Sequence, residues 1–371
     1  MKVKAAVFEG VGKPIQVEEL DLQDPQEGEV LVRLAAAGVC HSDFHVVKGE
    51  WASDSGSLVL GHEGAGVVEK IGSGVTTVAV GDHVILSWVP YCGVCRYCQA
   101  GKPALCPKVE QTAYLNVQYD GTSRLSRDGE VVSSYLATGA FADHVVVHET
   151  GAVPIRKDAP LDRAALVGCA VATGVGAVIN TADVRPGDSV LVIGCGGVGL
   201  SVIMGAKLVS AGQIIAVDMS DKALDLAKAL GATAVINPSS TDVTVAVSEL
   251  VGEAGLDWAF EAIGLKSTIE QAYELIAPGG TVVVVGQSAD GVTIEIDPMV
   301  MSDREKSIIG CNYGSSRPAI DFPRLIDLYM AGKLDLDGLI GHTARLDEIG
   351  DAFERMRRGE GGRTVIRYDN A

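Results

Sequence analysis

Four of the chain's eight cysteines fall within fifteen residues: Cys92-Gly-Val-Cys95-Arg-Tyr-Cys98, then Cys106 after seven more. Two-residue gaps let a chain turn around a tetrahedral ion without strain, and four thiolates close the shell of one Zn²⁺. Gly93, Gly101 and Pro103 supply the turns. Buried or disulfide-bonded cysteines are the alternative, but they do not account for the clustering. A shell of four cysteines has no open position, so this zinc holds a loop in place and performs no reaction.

The chemistry therefore lies elsewhere. Two polar clusters interrupt otherwise strand-like sequence: Gly38-Val-Cys40-His41-Ser42-Asp43-Phe44-His45 and Gly61-His62-Glu63-Gly64. With Cys169 they offer two cysteines and one histidine, a set that leaves zinc a fourth position for water or substrate. Spacing alone does not establish that these three converge, and Cys195 and Cys311 remain as further cysteines. His83, His144, His148 and His342 have no motif around them and read as ordinary histidines.

A second site is written in Gly194-x-Gly196-x-x-Gly199, which follows the apolar run Ser189-Val-Leu-Val-Ile. In a strand-turn-helix context its amides and the helix N-terminus hold a pyrophosphate. Asp218, nineteen residues after Gly199, supplies a carboxylate for the adenosine ribose hydroxyls. The same charge repels a 2′-phosphate, so NAD is expected over NADP. A turn kept only for close packing is the bland alternative.

These residues need elements to position them. At 371 residues the chain is too long for one ordinary core, and two domains are expected. From Val3 to about Val84, short Val/Ala/Leu runs broken by Gly and Pro read as strands. The polar stretch from Gln111 to Ser134 reads as a surface loop, and Phe141 to His148 as another strand. Cys169-Ala-Val-Ala-Thr173-Gly174 opens a helix crossing into the second domain. From about Val184 strands and helices alternate, with strands at Ala234 to Ile236, Asp257 to Glu261 and Thr281 to Gly286, the signature of a doubly wound parallel sheet. Helices are expected at Pro318 to Met330 and Leu346 to Arg358, and a final strand at Arg363.

Composition narrows the function. A formal charge of −18 repels nucleic acid and anionic membranes. The N-terminus lacks a signal-peptide pattern, so a cytoplasmic location with reduced thiols is expected. The uncharged run Ser189 to Ala206 is long enough to suggest a membrane helix, but its central Gly194, Gly196, Gly197 and Gly199 argue for a buried strand and turn.

Taken in order, the Cys40 cluster, Gly61-His62-Glu63, the four-cysteine loop, Gly168-Cys169, the glycine turn with Asp218 and the Arg363-Thr-Val-Ile tail resemble a known family. It is the zinc-containing medium-chain dehydrogenase/reductase superfamily, and within it the alcohol dehydrogenases related to the liver enzyme and to glutathione-dependent formaldehyde dehydrogenase. The resemblance covers nearly the whole chain. It implies a GroES-like, β-rich catalytic domain at 1–171, a Rossmann domain at 172–314, and a return to the catalytic domain at 315–371, an α/β protein overall. It also implies one structural and one catalytic zinc per chain, the latter held by Cys40, His62 and Cys169. Two cysteines and one histidine are the set that general zinc chemistry associates with alcohol dehydrogenases.

In the implied reaction an alcohol oxygen is the fourth zinc ligand, the metal stabilises the alkoxide, and hydride passes to the nicotinamide. Ser42 takes the hydroxyl proton and passes it through the cofactor ribose to His45. Asp43 orients His62, and Glu63 lies behind the metal. By the same resemblance His41, Thr173, Gly194, Gly196, Gly197, Val198, Gly199, Asp218 and Arg363 bind the cofactor, with His41 and Arg363 near the pyrophosphate. Trp51, Trp88, Tyr135, Leu136, Gln287 and Tyr313 surround the substrate. Crowding by Trp88 favours primary alcohols, aromatic or medium-chain. Thiol-dependent formaldehyde oxidation competes: Asp120-Gly-Thr-Ser-Arg resembles that subgroup, yet Glu110 stands where glutathione-dependent relatives have Arg. A non-enzymatic zinc- and NAD-binding protein is the remaining alternative. A homodimer paired through Val292 to Pro298 is expected, with a homotetramer as the other possibility.

Overall fold

The computed structural model describes residues 1–51 and 56–368, and three sheets carry the chain. Strands Lys2–Phe8, Gln16–Leu22, Leu125–Arg127, Glu130–Ser134 and Leu58–Val59 close into a small barrel. Beside it a mixed sheet runs in the order Ala152–Ile155, His83–Leu86, Glu63–Ile71, Glu29–Gly38, Arg363–Arg367, Ile340–Ala344, and His144–His148 also pairs with Glu29–Gly38. Glu29–Gly38 is the hub, buried along almost its whole length. Gly38 pairs with Glu63 on one side and Val365 on the other. Register alone thus gathers Cys40, His62, Glu63 and Arg363 at one corner of this sheet.

The stretch Gln111 to Ser134 corrects the sequence reading. It is no surface loop, since it supplies two barrel strands joined at Asp128 (φ 51°) and Gly129 (φ 87°). Asp-Gly is a strong hairpin signal, because both residues tolerate positive φ. Arg124 is buried and makes a two-pronged ion pair with Glu29, Nε to Oε2 at 2.8 Å and Nη2 to Oε1 at 2.6 Å. Polar composition hid this segment because its charges are paired inside.

The third sheet is fully parallel, in the order Ala234–Ile236, Gln213–Val217, Ser189–Ile193, Leu256–Glu261, Ile276–Val284, Ser307–Gly310. Its central strands are near-continuous Val, Ile and Leu because helices cover both faces. Ser220 and Asp242 cap the helices Asp221–Leu230 and Val243–Val251 through Ala223 N and Val245 N. Strand order reverses between Ser189–Ile193 and Leu256–Glu261, the crevice where such sheets bind ligands. The glycine turn follows the first of these two strands.

Between the sheets, Leu161–Gly168 and Ala170–Ala182 form a helical pair bent by 57° at Cys169. No single described helix is long and apolar enough to cross a membrane; this pair meets that test by length and composition, and its central residues are packed in the protein core. The helix Pro318–Met330 forms as expected. The predicted helix Leu346 to Arg358 is a short turn, Leu346–Glu348, followed by Ile349–Arg357.

Candidate active site

The cysteine lobe assembles from short turns. Cys95 Sγ accepts from Cys98 N at 3.5 Å as a helix cap, and Cys106 Sγ accepts from Cys92 N at 3.4 Å. The sulfurs of Cys92, Cys95, Cys98 and Cys106 lie within 4.8 Å of one another. The Val94 and Cys95 amides bring the Cys92 thiol down to about 6, whereas burial and then the neighbouring sulfurs push Cys98 up to about 12. A divalent cation at the centre would relieve that crowding, so the lobe fits zinc.

A second donor set lies in the interior. Cys40, His62, Glu63 and Cys169 each bring one ligand atom within 4.8 Å of the others, and all four are buried. His62 Nε2 is buried without a hydrogen-bond partner. An orphaned imidazole nitrogen beside two sulfurs is costly unless a metal takes its lone pair, so these residues fit zinc as well. Burial works to lower the His62 pKa, but the charges of Asp43 and Cys40 win and hold it well above the usual range. The Cys169 thiol, hydrogen-bonded to it, holds Cys40 well below its usual value.

The support for this cluster comes from three places. The helix His41–Lys48 starts at Cys40 and buries Asp43 in its first turn. Asp43 Oδ1 accepts from Gly61 N at 2.8 Å and faces His62 Nδ1 at 3.2 Å, while Oδ2 accepts from Cys40 N at 3.3 Å. Glu63 accepts from Ala170 N at 3.3 Å and from Arg363 Nη2 at 2.7 Å. Burial pushes Glu63 up to about 7 against the pull of Arg363.

A cleft of ≈ 1120 Å³ runs from this cluster to the glycine turn and Asp218. It is lined by Cys40, His41, Ser42, His45, Trp51, His62, Trp88, Tyr135, Leu136, Cys169, Thr173, Gly194, Gly196, Gly197, Val198, Asp218, Gln287, Tyr313 and Arg363. Of the predicted residues outside the cysteine lobe, Asp43, Glu63 and Gly199 stand behind its wall. Cys40 Sγ lies 3.8 Å from Ser42 Oγ. Trp88 packs on Tyr313 with centroids 4.4 Å apart, and the Tyr135 ring meets His62 edge-on at 5.8 Å. Tyr313 and Leu136 reach the cleft through left-handed backbone, φ 56° and φ 51°.

On the cofactor side, a Cβ on Gly199 would stand 1.7 Å from Gly194 O, so the helix can start this close to the strand only with glycine. Gly196 lines the cleft, and nothing lies within 4 Å of a Cβ built on it. Asp218 accepts from Cys195 N at 2.7 Å and from Ser220 N at 2.8 Å, which fixes its carboxylate at the cleft edge. Arg363 lines the cleft beside the glycine turn, its guanidinium in the path of any Cβ at Gly197. It is buried, and its Nη2 is taken by Glu63 and by Val39 O at 2.8 Å.

Several lining residues were missed by sequence reasoning. Ala113–Leu115 turns Tyr114 into the cleft, Asn116 Oδ1 accepts from Leu136 N at 2.9 Å, and Asn312 precedes Tyr313. Their stretch lacked any motif. His342, read as ordinary, lines the cleft 4.0 Å from Glu360.

Fold and site together define a zinc-binding dehydrogenase. Residues 26–157 match the family described as alcohol dehydrogenase GroES-like domain, and residues 197–331 match zinc-binding dehydrogenase. The chain is 40% identical to the S-(hydroxymethyl)glutathione dehydrogenase of Escherichia coli O157:H7, over 99% of this chain and 100% of that protein. The benzyl alcohol dehydrogenase structure from Acinetobacter calcoaceticus superimposes with a TM-score of 0.93 at 35% identity, covering 99% of both chains. An alcohol dehydrogenase zinc-binding domain protein from Burkholderia ambifaria gives 0.94 at 36%, again over 99% of both. The chain belongs to the zinc-dependent medium-chain alcohol dehydrogenases, enzymes that use zinc and NAD.

Proposed function

We propose that this enzyme oxidises primary alcohols, aromatic or medium-chain, reversibly to aldehydes with NAD. The observation that carries the reading is the aromatic wall of Trp88, Tyr313, Tyr114 and Tyr135 beside the buried donor cluster. An aryl or alkyl substituent packs against those rings. A second substituent on the carbinol carbon meets Trp88.

Cys40, His62 and Cys169 would hold the catalytic zinc, which when bound supplies Lewis acidity at the substrate oxygen. With Asp43 accepting from His62 Nδ1–H, the Nε2 lone pair would be free for the metal. Ser42, in the cleft beside Cys40, would accept the substrate hydroxyl proton, and His45, further along the same cleft, would release it to solvent. The glycine-turn amides, with His41 and Arg363, would hold the pyrophosphate, and Asp218 would accept from the adenosine ribose. Arg363 also balances Glu63 behind the donor cluster. The functional units are 1–171, 172–314 and 315–371. Cys92, Cys95, Cys98 and Cys106 would hold the structural zinc.

Formaldehyde oxidation as a thiol adduct is the second reading, favoured by the 40% identity to the Escherichia coli protein. The exposed Glu110 weighs against an anionic thiol such as glutathione. A homodimer fits the exposed stretch from Val292, in which Val292 and Ile294 are 45% and 36% exposed; a homotetramer is the alternative.

The test is kcat/KM for benzyl alcohol against 1-phenylethanol, with formaldehyde assayed with and without glutathione. One extra methyl group is expected to cost about ten-fold or more. Equal values would remove the pocket argument, and a thiol-dependent formaldehyde rate above that for benzyl alcohol would establish the second reading.

A further inference from the structure

We propose that Glu50 is a positioning residue of the proton relay, holding His45 as a carboxylate–imidazole pair. The inference rests on the reading of His45 as the solvent end of that relay, and it begins with a helix end. The helix His41–Lys48 closes on Gly49, whose φ of 75° is left-handed. Gly49 N donates to Val46 O at 3.0 Å and Glu50 N donates to His45 O at 2.9 Å. This double closure is a Schellman turn, and it folds the residue after the glycine back over the last helical turn. Glu50 is therefore tied to His45 twice, once through the backbone and once through the side chain. His45 Nδ1 lies 2.5 Å from Glu50 Oε2.

Two further contacts complete the arrangement. The His45 ring stacks on Trp51, centroids 4.5 Å apart and planes at 21°, and Trp51 Nε1 donates to Ser288 O at 3.4 Å. The second oxygen of Glu50, Oε1, pairs with Lys48 Nζ. The Lys48 ammonium, ahead of His45, holds the Glu50 carboxyl below its usual range, so the group stays ionised. The imidazole is thus gripped at its edge and on its face.

The chemistry follows from which nitrogen is used. An imidazole whose Nδ1–H donates to a carboxylate carries its lone pair on Nε2, the remaining position for a proton arriving from the cofactor ribose. That arrival creates an imidazolium whose Nδ1–H still points at Glu50, and the carboxylate stabilises the new charge. Water then removes the proton, because the His45 and Glu50 side chains are 20% and 31% exposed. Glu50 ends the cycle unchanged, and the hydride has gone to NAD⁺. Without Glu50 the ring is free to take the other tautomer, which blocks the path.

The experiment compares Glu50→Gln, His45→Gln and the double variant by the transient rate of benzyl alcohol oxidation, with the Kd for NAD⁺ measured by fluorescence. Each single substitution is expected to slow the transient about ten-fold, the scale of partners that orient a functional histidine, with Kd little changed. The double variant is expected to be no slower than His45→Gln, since Glu50 acts only through that ring. Losses that multiply would make Glu50 a structural residue and overturn the proposal. An unchanged rate in Glu50→Gln beside a slowed His45→Gln would overturn it while sparing the relay. An unchanged His45→Gln would overturn the relay and the proposal with it. Should Glu50→Gln fail to fold, Glu50→Ala with added acetate serves: recovery beyond that with chloride supports the pair, and equal rates overturn it.

Discussion

Asp43→Asn isolates one carboxylate that three groups share. In the native site Oδ1 faces Gly61 N and His62 Nδ1, and Oδ2 faces Cys40 N, all within 2.8 to 3.3 Å. Asparagine has the same shape but one acceptor oxygen. In its better orientation the oxygen keeps Gly61 and His62, and the new NH₂ points at Cys40 N, leaving a buried donor unpaired. That conflict costs about 1–3 kcal/mol of folding stability. The amide is also a weaker partner for His62, and loss of such a partner lowers metal affinity by about 10–100-fold, or ~1.4–2.7 kcal/mol. The assay is zinc competition with a chromophoric chelator, in which the four-cysteine lobe acts as internal standard. The zinc of the Cys40, His62 and Cys169 set should dissociate at lower chelator concentration in the variant, with the four-cysteine zinc unmoved. Two zinc affinities indistinguishable from wild type would refute the role assigned to Asp43.

Cys98→Ser should remove one zinc, leave the buried donor set intact and lower thermal stability, as measured by zinc content and scanning calorimetry. Trp88→Ala should raise kcat/KM for 1-phenylethanol relative to benzyl alcohol by about ten-fold, the value of a methyl group in an apolar pocket; an unchanged ratio would place the crowding elsewhere. At Gly174 a Cβ would stand 2.4 Å from Val198 O and 2.5 Å from the Ser201 Cβ. Gly174→Ala should therefore push apart the helices that carry Thr173 and the glycine turn, cost about 1–3 kcal/mol, and weaken NAD⁺ binding in a fluorescence titration. Glu149 tests pH. Burial would raise its pKa, but amide and hydroxyl bonds from Thr76 and Thr77 win and lower it. The stabilisation is present above the unfolded value near ~4.3 and is lost as pH falls through the folded value. The difference in melting temperature between wild type and Glu149→Gln should therefore shrink on acidification below that range; a difference independent of pH would contradict the assignment.

What was legible in the chain follows physical locality. The glycine turn, its flanking strand and Asp218 sit within one strand-turn-helix-strand unit, so spacing and periodicity carry them. The four-cysteine lobe is equally local. The Cys40 helix was readable as a site, yet the Glu50 contact to His45 needs the left-handed closure at Gly49, a turn that a glycine after Lys48 signals only once the helix end is known. The pairing of Glu63 with Arg363 spans 300 residues and depends on the shared register at Gly38, which no short window contains. The barrel strands at Leu125–Arg127 and Glu130–Ser134 were hidden by polar composition, although Asp128-Gly129 marked the hairpin between them. Tyr114, Asn116 and Asn312 reach the cleft through turns whose direction tertiary packing decides.

The most direct test of the central claim is NAD⁺ reduction with benzyl alcohol by zinc-loaded wild type and Cys40→Ala, with zinc content measured on the same samples. Wild type is expected to bind two zinc ions and form NADH. The variant should keep one zinc and its fold and lose turnover. Equal turnover by the two proteins would contradict the assignment of Cys40, His62 and Cys169 as the reaction centre.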